Sequence, residues 1–84
     1  MNWKKSLFKP KWQHKNPAIR KDAVASGQEP ELLQSLLTIA STDEDAEVRS
    51  AASRRLNVPS QILDTLDQEE DSAVRSVLSD RVRH

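Results

Sequence analysis

Few residues in this chain could assemble a reactive centre. Two carboxylate clusters, DEDAE at 43–47 and DQEED at 67–71, the histidines His14 and His84, and scattered serines are the main candidates, because cysteine and tyrosine are absent. A carboxylate cluster can hold a divalent cation or share a proton, but neither cluster has the D-x-[DN]-x-[DN]-G frame that wraps a calcium ion. They read as solvated acids between helices, acting on helix dipoles. His14 and His84 stand at opposite ends of the chain without spaced Asp, Glu or Cys companions, whereas a metal site needs three or four converging ligands. Ser50, Ser53, Ser76 and Ser79 fall inside helical stretches with no histidine near enough to serve as base, and read as small polar helix faces. A single glycine, Gly27, cannot build a phosphate cradle. The expectation is a non-enzymatic protein without a metal or cofactor.

Two sets of cations remain. Arg20, Arg49 and Arg75 each follow the aliphatic residue that opens an apolar stripe. Such a row either faces a ligand or forms a ladder of ion pairs with inter-helix acids such as Asp45 and Asp71, the arginine stems covering apolar surface; the ladder is the preferred reading. The second set lies in WKKSLFKPKWQHK, where Trp3, Phe8 and Trp12 are interleaved with Lys4, Lys5, Lys9, Lys11 and Lys15, and Pro10 prevents one continuous helix. Trp3, Lys4, Lys5, Lys9, Lys11, Trp12 and Lys15 are accordingly the candidate contacts to a partner or to nucleic acid, since flexible cations and ring faces suit phosphates and bases, or the headgroup boundary of an anionic membrane. The competing and favoured reading is a cap: Trp3, Leu7, Phe8 and Trp12 cover the apolar end of the first helical unit, because a chain this poor in large apolar residues can hardly spare both tryptophans.

The charges divide sharply along the chain. Residues 1–21 carry seven lysines and arginines and no acid (+7), while residues 22–84 carry six arginines against thirteen acids (−7), so the formal net charge is zero. Segments of this kind either reach out to a partner or fold against their own acidic body.

The elements that position these residues repeat. Residues 43–56 (DEDAEVRSAASRRL) and 69–82 (EEDSAVRSVLSDRV) are identical at seven of fourteen positions, including Val48/Val74, Arg49/Arg75 and Arg55/Arg81. Val48, Ala51, Ala52 and Leu56 share the i, i+3, i+4, i+8 spacing of Val74, Val77, Leu78 and Val82, one stripe along an α-helix. The acids ahead of each stripe suit a helix N-terminus. EPELLQSL (29–36) matches PSQILDTL (59–66), with Pro30 and Pro59 where a first turn tolerates proline and LTIA adding one turn to the earlier copy. A more divergent unit, NPAIRKDAVASG, opens the series with Asn16 as cap, Ile19 and Arg20 in the places of Val48 and Arg49, and Gly27 as a left-handed stop. These patterns predict helices near 17–26, 30–41, 44–56, 59–67 and 72–83, following a basic aromatic segment over 1–16; the helical-repeat domain is 17–84.

Units recurring every 26 to 29 residues cannot each bury an apolar stripe alone, so neighbours must stack. DAEVRSAA and DSAVRSVL resemble the second helix of a HEAT-type repeat, and RRLNVPSQILDTLDQEEDSAVRSVL is similar to the leucine-rich repeat variant family, with its V-R-x-x-x-A, short turn, P-x-x-L-L-x-x-L and acidic link. The resemblance spans roughly 17–83 and implies an all-α, short right-handed α-solenoid of about 2.5 HEAT-like helix pairs with an aromatic-basic N-terminal cap segment. The founding member of the variant family carries a cysteine-bound iron–sulfur cluster, a property not carried over to a chain without cysteine. LFKPKWQHKNPAIRKDAVA also resembles the start of large uncharacterised bacterial proteins in which such repeats precede a further conserved domain. That likeness implies that the chain is the N-terminal part of something longer, as does a last helix that halts at Val82, Arg83 and His84 without a glycine or proline signal.

Eighty-four residues allow one small domain with a thin stability margin. No run of about 18 apolar residues offers a membrane span, and MNWKKSLFKPKWQ lacks the apolar stretch and cleavage site of a secretory signal, so a cytoplasmic location is expected. The function that follows is protein–protein interaction, with a protein or another domain of the same longer chain as partner. The alternative is a nucleic-acid- or ribosome-associated protein using the Lys/Trp-rich arm.

Overall fold

The computed structural model describes residues 9–83. It is all-α: a single 3-10 turn at Lys11–Gln13 precedes α1 (Pro17–Ser26), α2 (Pro30–Thr42), α3 (Ala46–Ser53), α4 (Pro59–Gln68) and α5 (Ser72–Arg83), with no strand among the described residues. Trp3, Lys4, Lys5, Leu7 and Phe8, named above as cap or contact residues, lie outside them, as does His84.

Helix starts follow local chemistry. Pro17, Pro30 and Pro59 each occupy a first turn, where the missing N–H costs nothing. The two helices that lack a proline are capped by carboxylates in matching geometry. Asp45 Oδ1 accepts from Glu47 N (2.9 Å) and Val48 N (3.1 Å), and Asp71 Oδ1 accepts from Ala73 N (2.9 Å) and Val74 N (3.1 Å). Asn16 Oδ1 does the same for α1 through Ala18 N at 2.9 Å. α3 is shorter than the periodicity of 44–56 predicts. Its start waits for the Asp45 cap, and beyond Ser53 the N–H groups of Arg55 and Leu56 switch to carbonyls three residues back, at 3.0 and 3.3 Å, so the last turn tightens and opens before Pro59.

α3 is the central helix, packing against α2, α1 and α5, while α4 packs against α5 and more lightly against α2. The molecule is elongated, 46 × 22 × 19 Å. Its core is a single cluster in which Val24, Leu32, Ala40, Val48, Ala52, Val74 and Leu78 are fully buried. All four α3 stripe residues are covered, but in α5 Val77 is only half-buried and Val82 is exposed. Ser53, expected on a polar face, is instead buried, and its hydroxyl finds no hydrogen-bond partner among the described residues.

Gly27 does not adopt the left-handed conformation expected of a helix stop. Its backbone is extended (φ −66°, ψ 149°), and its N–H donates to Ala23 O at 2.8 Å. Crowding explains the glycine: a Cβ there would collide with the Leu32 side chain and lie 2.7 Å from Ala23 O and 2.8 Å from Glu29 Oε1. Leu32 is fully buried and Ala23 O is backbone, so neither yields cheaply. Gly27→Ala should therefore lower stability by about 1–2 kcal/mol, even though alanine restricts the unfolded chain favourably by about 0.4–1 kcal/mol. Thermal melts should place Gly27→Asn at least as low as Gly27→Ala; a clear advantage of Asn would mean that the position samples the left-handed region after all.

Candidate interaction surface

Three turns, one before each of α1, α3 and α5, are built alike. Each begins with a side chain that accepts the N–H two residues on: His14 Nδ1 from Asn16 N (3.0 Å), Asp43 Oδ1 from Asp45 N (2.9 Å), and Glu69 Oε2 from Asp71 N (2.9 Å). The residue two positions on caps the helix, and an arginine four further on folds back. Arg20 Nη1 donates to His14 O (3.0 Å), Arg49 Nη1 to Asp43 O (2.7 Å), and Arg75 Nη1 to Glu69 O (2.8 Å). The divergent first unit thus keeps the geometry that its sequence only half preserves.

In Arg20 and Arg49 the other edge of the guanidinium reaches the next turn. Arg20 Nε and Nη2 donate to the two oxygens of Asp43, both at 3.0 Å, and Arg49 Nε and Nη2 to those of Glu69, at 3.0 and 3.2 Å. These are fork-to-fork pairs, which lysine cannot make. The hydrogen bond with Asp43, helped by the neighbouring Glu44 and Asp45, holds the Arg20 pKa above the ordinary arginine value. The acids are therefore not Asp45 and Asp71, as the sequence suggests. Those two are committed to capping, and the carboxylates two residues earlier take the arginines because their position at the mouth of the turn faces the preceding unit. The Lys21–Glu47 pair beside them is exposed on both sides and contributes little.

A second pair of arginines points the opposite way. Arg55 Nη1 donates to Val24 O (2.9 Å) and Gly27 O (2.7 Å) at the end of α1, and Arg81 donates to Ser53 O, Arg54 O and Leu56 O beyond the end of α3. Cations there meet unpaired carbonyls and the negative end of the helix dipole. Both lie twelve residues after the acid of their own unit, Asp43 and Glu69. The identity of Arg55 and Arg81 between the copies was the available signal; nothing in the pattern said which carbonyls they would reach.

Two concavities lie between the helices on the sides of the molecule. Between α2 and α4 runs a groove of about 610 Å³ whose walls include Leu33, Leu37, Val58 and Gln61, and Leu33 and Val58 are exposed. Across α1, α3 and α5 lies a smaller depression of about 410 Å³ lined in part by Lys21, Glu47, Ser50 and Arg54. At the basic end, Lys9, Lys11 and Lys15 are exposed, whereas Trp12 is half-buried against the core cluster. Among the described residues no three His, Cys, Asp or Glu side chains converge as metal ligands would, and no helix is long and apolar enough to cross a membrane. No family model, curated protein or solved structure matches this chain.

The arginines predict unequal losses. Arg49→Ala leaves Glu69, whose side chain is 5% exposed, without its cation, a change of about 3 kcal/mol. Arg75 is exposed and, among the described residues, bonded only to the carbonyls of Leu66 and Glu69, so Arg75→Ala should cost about 1 kcal/mol. Melting temperatures should differ by roughly 10 °C between the two variants; equal losses would remove the Arg49–Glu69 pair from its structural role.

Proposed function

We propose that this chain is a non-enzymatic, cytoplasmic helical-repeat module that binds a protein, or another domain of a longer chain, through the surface its stacked helices present. In this reading the five helices are about 2.5 HEAT-like or leucine-rich-repeat-variant pairs in a short right-handed solenoid, and the 3-10 turn with Trp12 belongs to an N-terminal cap. The observation that carries it is the repeated connector: the same turn, cap and arginine recur three times, and twice the arginine grips the following unit. Such connectors favour rigid register between neighbouring units, which is what a preorganised recognition surface needs. The groove beside Leu33 and Val58 and the charged depression around Glu47 and Arg54 are its contact faces. Cross-linking and pull-down from cells should recover a reproducible protein partner, and Glu47→Lys or Arg54→Glu, both on exposed positions, should abolish capture without changing the melting curve. Loss of neither variant's capture, or no reproducible partner, would overturn the assignment.

The exposure of Lys9, Lys11 and Lys15 favours a second reading, a nucleic-acid- or ribosome-associated protein whose basic segment contacts phosphates. With about four to six phosphates neutralised, log affinity should fall with log salt at a slope of roughly −3 to −5. A gel shift comparing the chain with one lacking residues 1–15 measures this; salt-independent or absent binding, together with a lowered melting temperature of the truncated chain, would favour the cap.

A further inference from the structure

Arg75 repeats everything Arg20 and Arg49 do except the last step. Its Nη1 holds the carbonyl six residues back, as theirs do, but among the described residues no carboxylate meets its Nε–Nη2 edge, and residues 1–8 contain no acid that could. The same incompleteness extends over the surface around it. Leu56 is buried in the middle unit while its counterpart Val82 is 39% exposed, and Leu66 on α4 is only half-buried where its counterpart Leu36 is buried. Arginines reach back to the carbonyls ending α1 and α3, whereas among the described residues none reaches Ser79, Asp80 or Val82, the counterparts of Ser53, Arg54 and Leu56.

Resting on the repeat-module reading, we propose that this α4–α5 face is a docking surface for one kind of occupant. That occupant is a helix–turn–helix unit on another polypeptide segment, with a carboxylate at its turn and an arginine twelve residues later. The carboxylate closes on Arg75 and the arginine reaches the carbonyls that end α5. The chemistry is specified by the two internal interfaces, where acid and arginine stand at that separation as Asp43 with Arg55 and Glu69 with Arg81. It also excludes a second copy of this chain stacked head to tail. The leading turn of such a copy offers His14 where Asp43 and Glu69 stand and Lys15 where Glu44 and Glu70 stand, within a segment, residues 1–21, that has seven cations and no acid. Arg75 would meet like charge, which disfavours the pairing.

The probe is a fluorescein-labelled synthetic peptide with the sequence of residues 59–83, which carries Glu69 and Arg81, titrated into the full chain by anisotropy. Binding is expected to weaken at least about tenfold when the chain carries Arg75→Glu or Val82→Asp, each variant first checked by melting to be folded. A peptide with Glu69→Arg should bind the wild-type chain poorly and regain affinity for the Arg75→Glu chain. Absent binding, or binding indifferent to Arg75, overturns the proposal. Indifference to Arg75 with sensitivity to Arg49→Ala would show that the peptide displaces the chain's own α4–α5 hairpin, which also overturns it. Cellular capture that still depends on Glu47 and Arg54 would then leave the interaction-module reading standing, so the two can fail separately.

Discussion

No helix in this molecule can cover its own apolar stripe, and that shortage organises everything else. The stripes are short and built largely from valine and alanine: Val24 on α1, Val48, Ala51 and Ala52 on α3, Val74 on α5. Each is narrow, so burial arises only when α1, α3 and α5 lie side by side with α2 and α4 across them. Val48 and Val74, which occupy equivalent sequence positions, are both fully buried in this way. Small side chains let the helices come close, and close helices bring their polar termini within reach of each other.

Direction comes from the arginines rather than from the core. Hydrophobic burial is indifferent to register over short distances, whereas a guanidinium fork on a carboxylate tolerates little displacement. Arg20 on Asp43 and Arg49 on Glu69 tie each turn to the one before it, and Arg55 and Arg81 reach back to the ends of α1 and α3. The connectors are two-sided: the acid also closes its own turn by accepting the N–H two residues on. Cap, turn and inter-unit pairing are therefore one network, and a substitution at Asp43 or Glu69 disturbs all three.

The network also gives the molecule unlike ends. At one, the turn before α1 closes through His14 Nδ1, and Trp12 lies against the core. At the other, Arg75 is exposed at the start of α5 and Val82 is exposed near its end. The sides of the molecule, at the α2–α4 groove or the face of α1, α3 and α5, differ in kind from this end. The sides offer shape and scattered charge; the end repeats an interface the chain already uses twice.

Sequence patterns located the five helices, four of them to the residue at one end or both, because caps and prolines act locally: Asn16, Asp45, Asp71, Pro17, Pro30 and Pro59 do their work within one turn. It also singled out Arg20, Arg49 and Arg75 as equivalent. What it misassigned depended on distance in space. The partners of the arginines are Asp43 and Glu69 rather than Asp45 and Asp71, since several adjacent acids have the same charge and only the path of the turn decides which one faces the preceding unit. Gly27 looked like a left-handed stop because glycine usually is one, but the reason it must lack a side chain is Leu32, which approaches from the next helix. Local hydrogen bonding is written into the order of residues; which carboxylate, carbonyl or side chain arrives from another unit is fixed only when the helices pack.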